Sequence, residues 1–232
     1  MPAPGARPAG SVWQGRGVYF VYDRSQCVPW VWEPGDAQLR RQKISRQAAE
    51  LITGDCLVLD VETTGTGRDD EVCEIAIVDA AGHVLLDTLV RPNREIPVEA
   101  SFVNGISNAM VATAPTWPEV AEQYASIVEG RRVVAYNATF DSRLIRQTHQ
   151  VYGLTAPVLD ATCLMLMYAV WNGEWDKRRE SWRWCKLIEA AGESGVANPD
   201  GHRALADAVM TLGVLRYLQA RSNGRRSPRK SR

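Results

Sequence analysis

In the stretch CLVLDVETTG, residues 56–65, an apolar run leads into Asp60, and Glu62 follows with only Val61 between them. Side chains two apart on a strand share a face, so the two carboxylates stand side by side. Like charges about 4 Å apart cost roughly 4 kcal/mol at an effective dielectric of 20. A divalent cation would remove that cost, because carboxylate oxygens are the hard ligands that Mg²⁺ and Mn²⁺ favour. The competing reading is a strand end with two solvated acids.

Two further stretches carry candidate groups. In VVAYNATFD, Asp141 falls in the first turn of a helix that follows a strand, at the sheet edge where open α/β folds hold ligands. In HRALADA, His202 precedes Asp207 by five residues at the start of the last helix. Each is weak alone, since an acid in a first turn commonly serves the helix dipole. A histidine suits proton transfer near neutrality. His83 at a turn and His149 inside a helix, with Gln147 and Gln150 around it, are poorer candidates than His202. GTGRDDE, residues 65–71, lacks the Lys and Ser or Thr of a phosphate loop and reads as a polar turn. In WNGEWDKRRESWRW, Trp171, Trp175, Trp182 and Trp184 interleave with Lys177, Arg178, Arg179 and Arg183. That composition fits a stacking surface for single strands, packed indoles under an insertion, or a partner surface.

The elements that must position these groups are visible as patterns. Strands are expected over residues 56–62, from Glu71 to Asp79 and from His83 to Val90; their short links imply antiparallel neighbours. TWPE at Thr116 is a capping box opening a helix that Gly130 stops. RRVVAYN reads as a strand, FDSRLIRQTHQVYG as a helix ending at Gly153, and PVLDAT as a short strand before a helical segment to Val170. The last helix, about residues 202–220, spaces Leu205, Val209, Leu212, Leu215 and Leu218 at helical intervals. The pattern is an α/β fold with a mixed sheet: a three-strand antiparallel meander, then strands alternating with helices. Upstream, residues 1–12 are expected to be disordered, and residues 13–54 to form an appendage of a hairpin over residues 17–32 and a helix from Asp36 stopped by Gly54.

The 232 residues suit one main domain, here residues 55–220. No apolar run approaches the roughly 20 residues of a membrane span, and no signal-peptide segment opens the sequence, so a cytoplasmic location is expected. Cys27, Cys56, Cys73, Cys163 and Cys185 are scattered without a C-x-x-C pair and read as reduced. Net charge is zero, but the tail, residues 221–232, holds six of the 27 basic side chains and no acid. The remaining 21 face 27 acidic ones, so the body is acidic, which favours a carboxylate site over a broad basic nucleic-acid face.

Taken in order, LDVETTG, YNATFD and HRALADA resemble the D-x-E, second Asp and H-x-x-x-x-D motifs of the DEDDh 3′ to 5′ exonucleases, the family of bacterial proofreading subunits and ribonuclease T. EVCEIAIVD and FVNGIS are similar as well, and the likeness spans about residues 55–220. It implies a ribonuclease-H-like fold with helices on both faces of the sheet. It also implies two cations, Mg²⁺ or Mn²⁺, held by Asp60, Glu62, Asp141 and Asp207, with His202 as general base. The implied substrate is the 3′ end of single-stranded or frayed DNA, with RNA or oligoribonucleotides as an alternative. A third reading is a binding module on a decayed catalytic fold. The backbone around Thr63, Thr64 and Gly65 would touch the terminal nucleotide, the loop from Phe102 to Ile106 would line its base pocket, and Asn137 would join them. Where many members have His-Gly-Ile this chain has Asn104, Gly105 and Ile106, and where many have His-Asn it has Tyr136 and Asn137, which bears on substrate preference. No segment resembles a polymerase, so a proofreading role would need a DNA polymerase in trans.

Overall fold

The computed structural model describes residues 13–15, 18–20, 37–197 and 202–221, in two compact units, Met1–Asp36 and Ala37–Arg232. In the first unit, β1 (Trp13–Gly15) and β2 (Val18–Phe20) pair antiparallel. Of the hairpin expected over residues 17–32 only Val18–Phe20 is described, paired with Trp13–Gly15; the rest lies outside the described residues. Residues 21–36, and the termini expected to be disordered at 1–12 and basic at 222–232, lie outside the described residues.

The second unit is built on five strands: β3 (Leu57–Thr63), β4 (Val72–Asp79), β5 (Val84–Leu89), β6 (Arg132–Ala135) and β7 (Asp160–Cys163). Their order is β5-β4-β3-β6-β7. β3, β4 and β5 form the antiparallel meander, while β6 and β7 join parallel to β3. The alternation expected of strand and helix is therefore realised as one mixed sheet.

Period-two alternation sends the residues of β3 to opposite faces. Leu57, Leu59 and Val61 join a core with Trp117, Val120 and Tyr124 of α4 (Trp117–Val128) and Leu144 and Ile145 of α5 (Ala138–Val151). The capping box forms as read: Glu119 accepts from the Thr116 backbone N–H and hydroxyl, both at 2.7 Å. His149 packs edge-on against Trp117 in this core and is spent there, bonded to the Ile145 carbonyl. The other face of β3 and β4 is covered by α8 (Ala204–Ala220). None of the described helices is long and apolar enough to cross a membrane.

The helix counted with the appendage, α1 (Ala37–Thr53), instead belongs to this unit and packs on α8 and on α6 (Leu164–Asn172). Buried Arg40 explains why: its Nε donates to the Val170 carbonyl at 2.7 Å, at the end of α6 where backbone donors run out, and its guanidinium lies 4.6 Å over Trp182. Arg41 repeats the motif with the Trp171 carbonyl and ring. Gly173 ends α6 at φ 84°, and a Cβ there would collide with Arg40. Trp175 and Trp182 then meet edge to face across a short hairpin, β8 (Trp175–Asp176) and β9 (Ser181–Trp182), before α7 (Leu187–Ser194). The Trp-rich segment is thus mostly packed: Trp171 and Trp182 are buried, and Trp184 is 49% exposed. The described cysteines, Cys56, Cys73, Cys163 and Cys185, are all free.

Arg40→Ala should lower unfolding stability by about 1.5–3 kcal/mol, the worth of a hydrogen bond made by a charged group. Denaturant melts of both proteins, with unchanged slopes, would measure it.

Candidate active site

Because Asp60 and Glu62 sit on the opposite face of β3 from Leu59 and Val61, they point toward the start of α8. Asp207, in the first turn of α8, meets them: one carboxylate oxygen from each of Asp60, Glu62 and Asp207 lies within 4.8 Å of the others. Asp141 arrives from the other side. β3 pairs with β6 only at Leu57 and Val58, since the chain leaves β6 at Ala135 and enters α5. Into the gap beside the unpaired end of β3 comes the buried Asp141 carboxylate, which accepts from its own backbone N–H and that of Val61.

Burial and mutual repulsion act on all of these groups. Burial, then Asp141, Asp207 and Glu62, raises Asp60 far above the ordinary carboxylate range. Burial first and Asp207 and Glu74 next push Glu62 up to about 8. Asp141 and Asp207 are raised too, chiefly by burial. One oxygen of Asp207, Oδ1, is buried with no hydrogen-bond partner among the described residues. A cluster of hard acceptors with raised proton affinity and an unsatisfied buried oxygen fits divalent cations, which would supply the missing partner.

His202 lies outside α8 rather than in it, exposed and with φ 69°, a left-handed backbone uncommon for a residue other than glycine. Its backbone N–H donates to the Asp207 carboxylate, and its ring is close enough to lower that group's proton affinity. Asn137 is exposed and its carbonyl accepts the first N–H groups of α5, from Phe140 at 2.8 Å.

The loop after β3 is tightly tied. The Thr63 hydroxyl donates to the Gly65 carbonyl, and the Thr64 hydroxyl to Asp70, so both side chains are spent internally. A Cβ at Gly65 would fall 2.6 Å from the Asp70 carboxylate, which explains the glycine. Arg143 and Gln147 of α5 strap this loop by its Thr66, Gly67 and Asp70 carbonyls. The polar turn expected over residues 65–71 is this structure.

Of the FVNGIS stretch, read as a loop, the first half ends a short helix, α2 (Val98–Asn104), which Gly105 stops at φ 71°. Phe102 is 90% exposed, but Ile106 is fully buried with Cys73, Ile96 and Val111 of α3 (Asn108–Val111), so it supports the segment from beneath instead of lining a pocket. Asn104 ties the segment to β3, donating to the Thr63 carbonyl at 3.2 Å.

Glu74 and Arg203 were not singled out from the sequence. Glu74 lies opposite Glu62 in the antiparallel pair and is 2% exposed. Its carboxylate accepts from Arg203 Nε at 3.1 Å and Nη2 at 2.5 Å, and from the Ala204 backbone N–H at 2.9 Å. A residue of β4 thus satisfies the start of α8, between His202 and Asp207, and sets their position relative to β3. The signal was the acid in EVCEIAIVD: a strand buried along nearly its whole length has no place for a carboxylate without a partner.

Comparison with known proteins agrees with this geometry. Residues 57–215 match the family model described as exonuclease, of the RNase T type. An exonuclease of Escherichia phage 186 is 41% identical over 179 residues, covering 74% of this chain and 92% of that protein. A DNA polymerase III subunit epsilon-like protein of Rhodobacter capsulatus is 42% identical over 177 residues, which are 71% of this chain and 24% of that longer protein. Among solved structures, exonuclease X in complex with 5′ overhanging duplex DNA superposes with a TM-score of 0.55 at 25% identity, covering 72% of this chain and 93% of that one. An Escherichia coli exonuclease I complex with single-stranded DNA gives 0.58 at 18% identity over 74% of this chain and 41% of that one.

Without metal, the fold holds a proton on Glu62 that the unfolded chain has released, so stability should fall as pH rises from the ordinary 4.5 toward about 8. Thermal melts in chelator should show this decline, and Mg²⁺ should flatten it. Arg203→Ala should leave Glu74 buried without its main partner and cost about 3–5 kcal/mol; equal denaturation midpoints would show that the pair is not what holds α8.

Proposed function

Because the chain belongs to the RNase T family of DEDDh exonucleases, we propose that it removes nucleotides from the 3′ end of single-stranded or frayed DNA, with Asp60, Glu62, Asp141 and Asp207 holding two divalent cations, Mg²⁺ or Mn²⁺. The observation that carries this reading is the meeting of three carboxylates within 4.8 Å, one of them with a buried, unsatisfied oxygen, while the Asp141 charge also raises Asp60. When bound, the cations would supply stabilisation of charge on the attacking and leaving oxygens of an in-line displacement at phosphorus.

The chain's own groups divide the remaining work. His202, exposed at the entry to α8 beside Asp207, is placed to take the proton from the attacking water as general base. The backbone of Thr63, Thr64 and Gly65, fixed by Asp70, Arg143 and Gln147, offers a rigid edge for the terminal nucleotide, with Asn137 across the site. Phe102, projecting from α2, offers a face on which a base can stack. Intact ligands argue against a decayed binding module. DNA is favoured as substrate by the likeness to exonuclease X, described with overhanging DNA, and the epsilon-like relative suggests a polymerase partner acting in trans.

Labelled DNA and RNA strands of matched sequence, single and double stranded, incubated with Mg²⁺, Mn²⁺ or chelator, test this directly. Loss of nucleotides from the 3′ end of single-stranded DNA with metal, and none in chelator, is expected; a strict need for the 2′-hydroxyl would transfer the reading to RNA. Asp141→Ala should give a folded protein without activity. His202→Ala should keep its Mg²⁺-induced rise in melting temperature, yet turn over about 10² to 10⁴ more slowly. An unchanged single-turnover rate in that variant would remove His202 from proton transfer.

A further inference from the structure

Three of the four indoles in the Trp-rich segment are used in packing, and the fourth is not. Trp171 and Trp182 are buried under Arg41 and Arg40, and Trp175 stacks edge-on against Trp182 at 5.1 Å. Trp184 remains 49% exposed, between the exposed side chains of Arg183 and Lys186. The acids nearby are partly spent: Asp176 accepts from the backbone N–H groups of Arg178 and Arg179, and Glu174 pairs with Arg183 at 3.7 Å. Among the described residues no salt bridge engages Lys177, Arg178 or Lys186. An exposed indole therefore follows a packed hairpin whose tip, residues 177–180, carries Lys177 and Arg178 on exposed side chains, in a protein whose body is otherwise acidic.

Its position relative to the carboxylates follows from one bond. The Tyr136 hydroxyl donates to the Cys185 carbonyl at 2.9 Å, and Tyr136 immediately precedes Asn137 and the helix that carries Asp141. Trp184 is thereby tied, one residue away, to the end of β6. On the other flank, Asn104 ties the helix of exposed Phe102 to Thr63, one residue beyond Glu62. Two exposed aromatic side chains are thus anchored near the end of β3, which bears Asp60 and Glu62, and near the end of β6, which leads into the helix of Asp141.

We infer that Trp184, with Lys177, Arg178 and Lys186, forms a binding track for the single strand upstream of its 3′ end, the terminal nucleotide lying on the Phe102 side. This rests on the exonuclease reading and extends it from the cleaved nucleotide to the strand behind it. Stacking on an indole tolerates any base, and cations neutralise the phosphates, so the track would confer length dependence and salt dependence rather than sequence preference.

The test compares a dinucleotide with a single strand of about 12 nucleotides, long enough to reach a neighbouring platform. Trp184→Ala, and separately Lys177→Glu with Arg178→Glu, should lower kcat/KM on the longer strand about tenfold and flatten its salt dependence. Hydrolysis of the dinucleotide should be unchanged. Both substitutions are on exposed side chains, and the second leaves the indoles intact, so melting curves will separate binding from folding. Wild-type kcat/KM on the longer strand in both variants would overturn the track, and so would equal losses on both substrates. Binding of the same fluorescent strand in chelator supplies the independent arm. If the wild-type protein cleaves neither substrate but binds the strand, and Trp184→Ala weakens that binding, the track stands and the catalytic reading fails; no binding by the wild-type protein overturns the track.

Discussion

Four carboxylates are drawn together where burial already opposes charge, and the repulsion among them is what the surrounding structure has to restrain. Asp60 feels it most, with Asp141, Asp207, Glu62 and Glu74 all raising its proton affinity beyond the effect of burial. A flexible chain would relieve such a cluster by moving apart. Here each acid is borne on an element that its apolar face fixes elsewhere: β3 through Leu57, Leu59 and Val61, α5 through Leu144 and Ile145, and α8 through Leu212 and Leu215. Hydrophobic burial of the three elements thus holds in place an arrangement that is electrostatically unfavourable while its carboxylates are charged.

The start of α8 is where that restraint is most demanding, because there Asp207 meets Asp60 and Glu62 of β3. Glu74 supplies a second attachment from the neighbouring strand, taking the Arg203 guanidinium and the Ala204 N–H together. The left-handed backbone at His202 turns the chain just before this clamp, and the Asp207 carboxylate reaches back to the His202 N–H. Position at this site is therefore set by hydrogen bonds to the backbone and by the ion pair of buried Glu74 with half-buried Arg203, and not by the length of the helix.

Much of this was legible in residue types and spacing. The alternation in LVLDVET put Asp60 and Glu62 on one face, and the short links of the meander required antiparallel strands; both follow from a period of two. TWPE announced its helix through the chemistry of a cap. What escaped was tertiary. Glu74 looked like any acid in a strand until its register opposite Glu62 and its reach to Arg203 were known. α1 was assigned to an appendage because nothing in its own pattern shows that Arg40 ends α6 and covers Trp182. FVNGIS reads as a loop from its sequence, although Gly105 can also be read as a helix stop, and Ile106, expected at a pocket, instead closes a small core with its apolar side chain.

The dependence of the whole arrangement on cations can be measured without any substrate. Mg²⁺ or Mn²⁺ titrated calorimetrically into the protein near neutral pH, in buffers of different ionisation enthalpy, reports both binding and the protons it displaces. Since burial and mutual repulsion raise the proton affinity of Asp60, Glu62, Asp141 and Asp207, cation binding should release protons. The release should shrink in Asp60→Asn. No binding, or binding in which the heat is the same in every buffer, would contradict a site assembled from repelling carboxylates that wait for metal.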